Sequence, residues 1–82
     1  MARTVTLFTR QSCSLCHKMN EVLARAREKR PFELVVIDLD TEATQEKRAA
    51  YDWEVPVLEI DGRKVAKYRI DEARLLRLVE EG

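Results

Sequence analysis

Cys13 and Cys16, the two cysteines of the chain, stand three residues apart, and its one histidine, His17, follows directly, in the string FTRQSCSLCHKM. Such a string admits three chemistries: dithiol–disulfide exchange, part of a metal site, or a C-x-x-C-H attachment of haem. A structural zinc site wants four ligands, and these three residues have no second cluster to join. Haem attachment of this kind accompanies export. The opening MARTVTLFTR has an apolar run too short, and too broken by threonine, for a signal peptide. Met1 and Met19 are the available methionine ligands, and Met19 is too close in sequence. Dithiol exchange is the chemistry these residues support best, with no metal bound.

The two thiols are not equivalent. On a helix the offset of three places them on one turn, with Cβ atoms about 5 to 6 Å apart, near disulfide range. Cys13 is expected at the helix entrance, where unpaired N–H groups and the helix dipole favour negative charge. Arg10, three residues earlier, adds a cation. Both effects favour a Cys13 thiolate. Cys16 shares an apolar stripe with Met19, so it is the more buried thiol. Cys13 then attacks a disulfide and Cys16 resolves the mixed disulfide. His17 shares the face of Cys13 at the i+4 position, where it can tune the thiolate or accept a proton. A solvated helix residue is the plainer account of it.

These residues need a scaffold, and the pattern around them supplies one. Thr4 to Thr9 (TVTLFT) reads as a strand. From Cys13 to Arg30 the period is helical, with Cys16, Met19, Leu23 and Ala26 on one stripe. Ser12 is the expected cap, cations gather at the far end, and Pro31 stops the helix. Phe32 to Asp40 is a second strand whose apolar centre, Leu34 to Ile37, predicts burial on both faces. A second helix is expected over Glu42 to Tyr51, capped by Asp40 or Thr41. Pro56 to Ile60 and Arg63 to Arg69 are two strands joined by the hairpin turn Asp61-Gly62. Asp71 opens a last helix with Leu75, Leu76 and Val79 inward, ending at Gly82. The order β-α-β-α-β-β-α gives an α/β fold with a mixed four-stranded sheet flanked by helices. Cys13 falls at the end of the first strand, where open α/β sheets place their sites. Tyr51 and Trp53 are expected to pack in the core. Lys64, Lys67 and Arg69 are expected to protect a sheet edge by charge.

Composition narrows the partners. A chain of 82 residues is expected to form one domain over residues 1–82. Lys and Arg number 15 and Asp and Glu number 15, so no strong field favours nucleic acid or membrane. No segment approaches the roughly 20 apolar residues of a membrane helix. The expectation is a cytoplasmic monomer, a setting where a lone cysteine pair is more often catalytic, regulatory or metal-binding than a structural staple.

The chain resembles the glutaredoxin branch of the thioredoxin superfamily, in particular the small bacterial glutaredoxin-like proteins. FTRQSCSLCHKM, IDLDTEATQEKRAAYDWEVPVLEIDG and the hairpin and helix after them carry the resemblance. It implies a thioredoxin-like fold, Cys13 as nucleophile and Cys16 as resolving thiol. It implies that Pro56 is cis and faces the dithiol, that Val55 offers its backbone to substrate, and that Arg10 matches the family's basic residue before the motif. Asp71 matches an acid the family uses to hold glutathione. Two departures stand out. The pair between the cysteines is Ser14-Leu15 where many glutaredoxins have Pro-Tyr. The Gly-Gly ahead of the acid is replaced by large residues in KYRID, where Tyr68 blocks or reshapes the glutathione groove. The strand TVTLFT also lacks the buried acid that thioredoxins often keep there. The implied function is a thiol–disulfide oxidoreductase that reduces protein or glutathione mixed disulfides. It carries no bound cofactor, and either glutathione, despite the degraded binding motif, or a thioredoxin-reductase-type flavoprotein recycles it. The alternative is a non-catalytic redox sensor or an iron–sulfur or other metal carrier of the same fold.

Overall fold

The β-prone run TVTLFT forms strand β1 (Thr4–Thr9), and its alternating side chains feed cores on both sides of the sheet. The computed structural model describes residues 3–81. Met1, one of the two candidate haem methionines, and Gly82, the expected end of the last helix, lie outside them. After β1 come α1 (Ser14–Lys29), β2 (Glu33–Asp38), α2 (Gln45–Tyr51), β3 (Val57–Ile60), β4 (Arg63–Lys67) and α3 (Glu72–Glu80). The sheet order is β2-β1-β3-β4, with β1 parallel to β2 and the other two pairings antiparallel. This is the mixed α/β architecture expected from the sequence. No helix among the described residues is long and apolar enough to cross a membrane.

The stripe of α1 buries Met19, Leu23 and Ala26 against Val5, Leu7, Leu58 and Ile60 of the sheet, with Leu75 and Val79 of α3 closing the same core, and Cys16 is buried on the same stripe. Leu76, expected inward with them, is partly buried against this cluster. The opposite face packs Phe8, Leu39 and Val57 under Tyr51 of α2, where the Phe8 and Tyr51 rings meet edge to face at 5.2 Å. Asp61 and Gly62 turn the β3–β4 hairpin with φ of 51° and 84°, the left-handed pair that a two-residue turn requires.

Three local expectations are corrected. Leu34 to Ile37 does not form a strand buried on both faces. β2 is an edge strand, and Val35 and Val36 are exposed, because the helices sit over β1 and β3 rather than over it. The cap of α1 is Cys13, not Ser12, which instead turns the chain in the left-handed region at φ 58°. Helix α2 starts later than expected, at Gln45 with Thr44 as cap. Asp38 takes up the backbone ahead of it, its carboxylate accepting from the N–H groups of Asp40 (2.8 Å) and Thr41 (3.3 Å).

Candidate functional site

The chain leaves β1 at Thr9, turns at Ser12 and enters α1 through Cys13, so the first thiol sits at the carboxyl end of a central strand and the amino end of a helix. Cys13 has extended backbone (φ −113°, ψ 106°) and caps the helix with its own sulfur, which accepts the N–H of Cys16 at 3.2 Å. One of the orphan donors of the helix start is thus aimed at the sulfur that must carry charge. Cys13 and Cys16 are joined by a disulfide, with Cα atoms 5.2 Å apart. Cys16 is 4% exposed and faces the core, whereas Cys13 is half-buried at the surface. The inequality expected of the two thiols is present in their burial and hydrogen bonding.

An open groove of about 770 Å³ runs from the disulfide along α1 toward β2 and is lined by Arg10, Cys13, Cys16, His17 and Val36 among others. His17 is exposed there. Arg10 is in the groove wall, but its guanidinium is turned to carboxylates. It donates to both oxygens of Asp40 at 2.9 Å and to Asp52 Oδ1 at 2.6 Å, and also to the Asp52 carbonyl at 3.1 Å. The hydrogen bonds to Asp40 and then Asp52 raise the Arg10 pKa, and the same bond to Arg10 lowers that of Asp40. Arg10 therefore cross-ties the loop before the dithiol to the loops at either end of α2. Its charge is outnumbered by two carboxylates rather than presented bare to Cys13. The sequence does not show this, because Asp40 and Asp52 lie 30 and 42 residues away.

The Val55–Pro56 peptide is cis, as the family resemblance implies. Val57 pairs with Phe8 in the sheet, so Pro56 stands at the same sheet edge from which β1 runs on to Cys13. Pro56 is buried, and Val55 is half-buried against the Phe8–Tyr51 cluster. Tyr68, just past β4, has φ 68° and donates its N–H to the Pro56 carbonyl at 2.8 Å. Its ring lines a second groove, across α1 from the first, with Leu15 and Ile70. Asp71 is not in the dithiol groove. It caps α3, accepting the Arg74 N–H at 2.8 Å.

Two features escape sequence reasoning. Trp53 was expected in the core and is 87% exposed, because the turn after α2 carries it off the sheet while Tyr51 takes the inward position. Glu59 is buried within β3, where Tyr51 Oη donates to Oε2 at 2.7 Å and Lys47 Nζ to the same oxygen at 2.6 Å. Burial first, and then the Glu59 bond, raise the Tyr51 pKa, while the Glu59 bond raises that of Lys47. A charged residue inside the short strand VLEI was the available signal. On β4, Lys64 pairs with Glu54, and Lys67 lies 3.6 Å from the same carboxylate, so the edge strand is charged as expected.

The chain resembles known proteins in sequence and in fold. The profile of the Glutaredoxin-like domain (DUF836) matches residues 4–80. A Dictyostelium discoideum protein described as glutaredoxin-like is 35% identical over 75 residues, covering 87% of this chain and 69% of that protein. The solution structure of a Nitrosomonas europaea protein superposes with a TM-score of 0.82 at 26% identity, covering 96% of this chain and 93% of that one. A thioredoxin variant from Halobacterium salinarum superposes with a TM-score of 0.72 at 26% identity, covering 96% and 73%.

Proposed function

The chain belongs to the glutaredoxin-like family, and from that membership we propose that Cys13 and Cys16 are the working couple of a thiol–disulfide oxidoreductase. The fold and the closed cysteine pair support a thiol redox role. What supports catalysis by this pair is the placement of Cys13 Sγ at the entrance of α1, accepting the Cys16 N–H, with Cys16 buried behind it. Developing charge on that sulfur is met by a fixed donor and by the helix dipole.

The reaction follows from this inequality. Cys13 thiolate attacks one sulfur of a substrate disulfide. A mixed disulfide forms, the substrate S–S bond breaks, and the departing thiolate takes a proton from solvent. Cys16 then loses its proton and attacks Cys13 Sγ, the second substrate thiol leaves, and the chain ends as the Cys13–Cys16 disulfide. Two electrons pass from the dithiol to the substrate. His17 opens on the same groove and is suited to receiving the Cys16 proton. Glutathione or a thioredoxin-reductase-type flavoprotein supplies two electrons to restore the dithiol. Substrate is held against Val55 and Pro56, with Arg10 fixing the loop before the motif.

The test is equilibration in glutathione redox buffers, followed by acid quench, alkylation and intact mass, together with turnover of a general disulfide substrate. Clean passage between dithiol and intramolecular disulfide is expected, with turnover abolished in Cys13→Ser and mixed disulfides trapped in Cys16→Ser. Full activity in Cys13→Ser overturns the roles. Passage between the two states with no turnover favours a redox sensor.

A further inference from the structure

Two of the large apolar side chains left exposed are neighbours, Val35 (41%) and Val36 (49%), and both stand on the edge strand β2. The other edge of the sheet, β4, is guarded. It carries Arg63, Lys64 and Lys67, and its pairing with β3 is irregular between Leu58 and Glu59. The middle of β2, Leu34 to Ile37, has no charge, proline or bulge to do the same.

The backbone of β2 shows what remains open. In a parallel pair, alternate residues bond the neighbouring strand. The N–H groups of Glu33 and Leu39 donate to the Arg3 and Thr9 carbonyls, each at 2.8 Å, so Val35 and Ile37 also face β1, while Leu34, Val36 and Asp38 face outward. The outward groups of Asp38 are taken. Its N–H donates to Glu42 Oε1 at 2.9 Å, and its carbonyl accepts from the N–H groups of Glu42 at 2.8 Å and Ala43 at 3.2 Å. At the other end, Arg27 Nε donates to the Phe32 carbonyl at 2.9 Å. The open ladder is thus confined to the N–H and C=O groups of Leu34 and Val36.

We propose that β2 pairs antiparallel with β2 of a second copy, about a two-fold axis through Val35, in place of the monomer expected from composition. One register fits. Leu34 opposite the partner's Val36, and Val36 opposite the partner's Leu34, uses every open main-chain group of both copies, and Val35 meets the partner's Val35. A shift of one residue sets Glu33 against the partner's Asp38 and turns open groups toward residues that face β1. A shift of two meets Asp38 or Phe32, whose carbonyls are taken. Charge agrees with the fitting register. It places Asp38 opposite the partner's Phe32 and so beside the partner's Arg27, which is exposed and in no ion pair among the described residues. The edge is therefore complementary to itself. Helix α1 packs over β1 and β3, and the two β1 strands would stand roughly 14 Å apart at three strand spacings, wider than a helix of about 10 Å. Val36 lines the dithiol groove, so the partner's Leu34 walls its β2 end, and each copy completes the site of the other.

The experiment uses the full chain. Sedimentation from about 10 μM to 1 mM should show monomer giving way to a dimer and to nothing larger, and amide exchange at Leu34 and Val36 should slow as the dimer fills. Val35→Lys, a surface change that sets two cations face to face, should weaken the dimer at least tenfold with the melting temperature of the monomer kept. Register is read by oxidative cross-linking in a Cys13→Ser, Cys16→Ser background. Val35→Cys should link readily, since opposed residues of this kind lie about 4.5 Å apart at Cα, within disulfide range. Glu33→Cys, about 14 Å from its own copy, should not. Monomer at every concentration overturns the inference, as do open-ended growth, a dimer unmoved by Val35→Lys, or equal linking at the two positions. None of these outcomes touches the exchange reading, which rests on Cys13 and Cys16 alone.

Discussion

Replacing Tyr51 by Phe removes one oxygen from a buried site and leaves the ring in place. In the wild type that oxygen donates to Glu59 at 2.7 Å, with Tyr51 7% and Glu59 5% exposed. A hydrogen bond to a charged partner contributes about 1.5 to 3 kcal/mol, and a buried acceptor left short of donors bears the loss in full. Lys47 still donates to the same carboxylate oxygen, so the lower half of that range applies, about 1.5 to 2 kcal/mol. The Lys47 ammonium lies 5.3 Å from the Tyr51 ring centre, and phenylalanine retains that attraction. At about 4 to 8 °C per kcal/mol for a domain of this size, the melting temperature should fall by about 6 to 16 °C. Thermal melts and urea titrations at pH 7 measure it, with an unchanged m-value expected. The double variant Tyr51→Phe, Glu59→Met should recover much of the loss, because no buried carboxylate remains unpaired and Lys47 is partly exposed. A melting temperature for Tyr51→Phe within about 2 °C of wild type would refute the reasoning, by showing that Glu59 does not depend on the hydroxyl.

Two further outcomes follow from the ion pairs. Arg10→Gln removes the cation and leaves Asp40 and Asp52 facing the dithiol loop, so alkylation of Cys13 at neutral pH should slow. Adding Asp40→Asn restores the charge balance and should restore the rate; persistent slowness in the double variant would mean that Arg10 acts on Cys13 otherwise than through net charge. Arg10 lowers the Asp40 pKa, Lys64 that of Glu54, and Lys29 with Arg25 that of Glu72, in each case chiefly through a hydrogen bond. Depressed carboxyl pKa values stabilise the fold above the ordinary values of 3.8 and 4.5. Stability should therefore hold at neutral pH and fall as the pH drops through the lowered values, and melts taken from pH 6 to pH 2 that show no such decline would contradict it.

Part of this protein is written locally. The thioredoxin-type element order, the strand Thr4–Thr9, the Asp61-Gly62 hairpin and the position of Cys13 at a helix entrance follow from propensity, period and turn chemistry within a few residues. The dithiol itself is legible for the same reason, since an offset of three on one helical turn brings two thiols together wherever that helix is placed. The sequence misleads where burial depends on neighbours. The apolar run Leu34 to Ile37 reads as an inner strand, yet strand order puts β2 at the edge and leaves Val35 and Val36 in solvent.

Tertiary structure alone decided the charge state around the dithiol and the outward face of the site. Arg10 reads as a free cation beside Cys13 until the fold brings Asp40 and Asp52 onto its guanidinium across 30 and 42 residues. Trp53 reads as a core aromatic until the turn after α2 carries it outward and gives the inward place to Tyr51. Tyr68 reads as an obstruction in a groove, and only its bonds to Pro56 and Trp53 make it a fixed wall. The physical reason is common to all three. Backbone conformation is set by neighbours in sequence, whereas the partner of a charge or a ring is whatever long-range packing delivers to it.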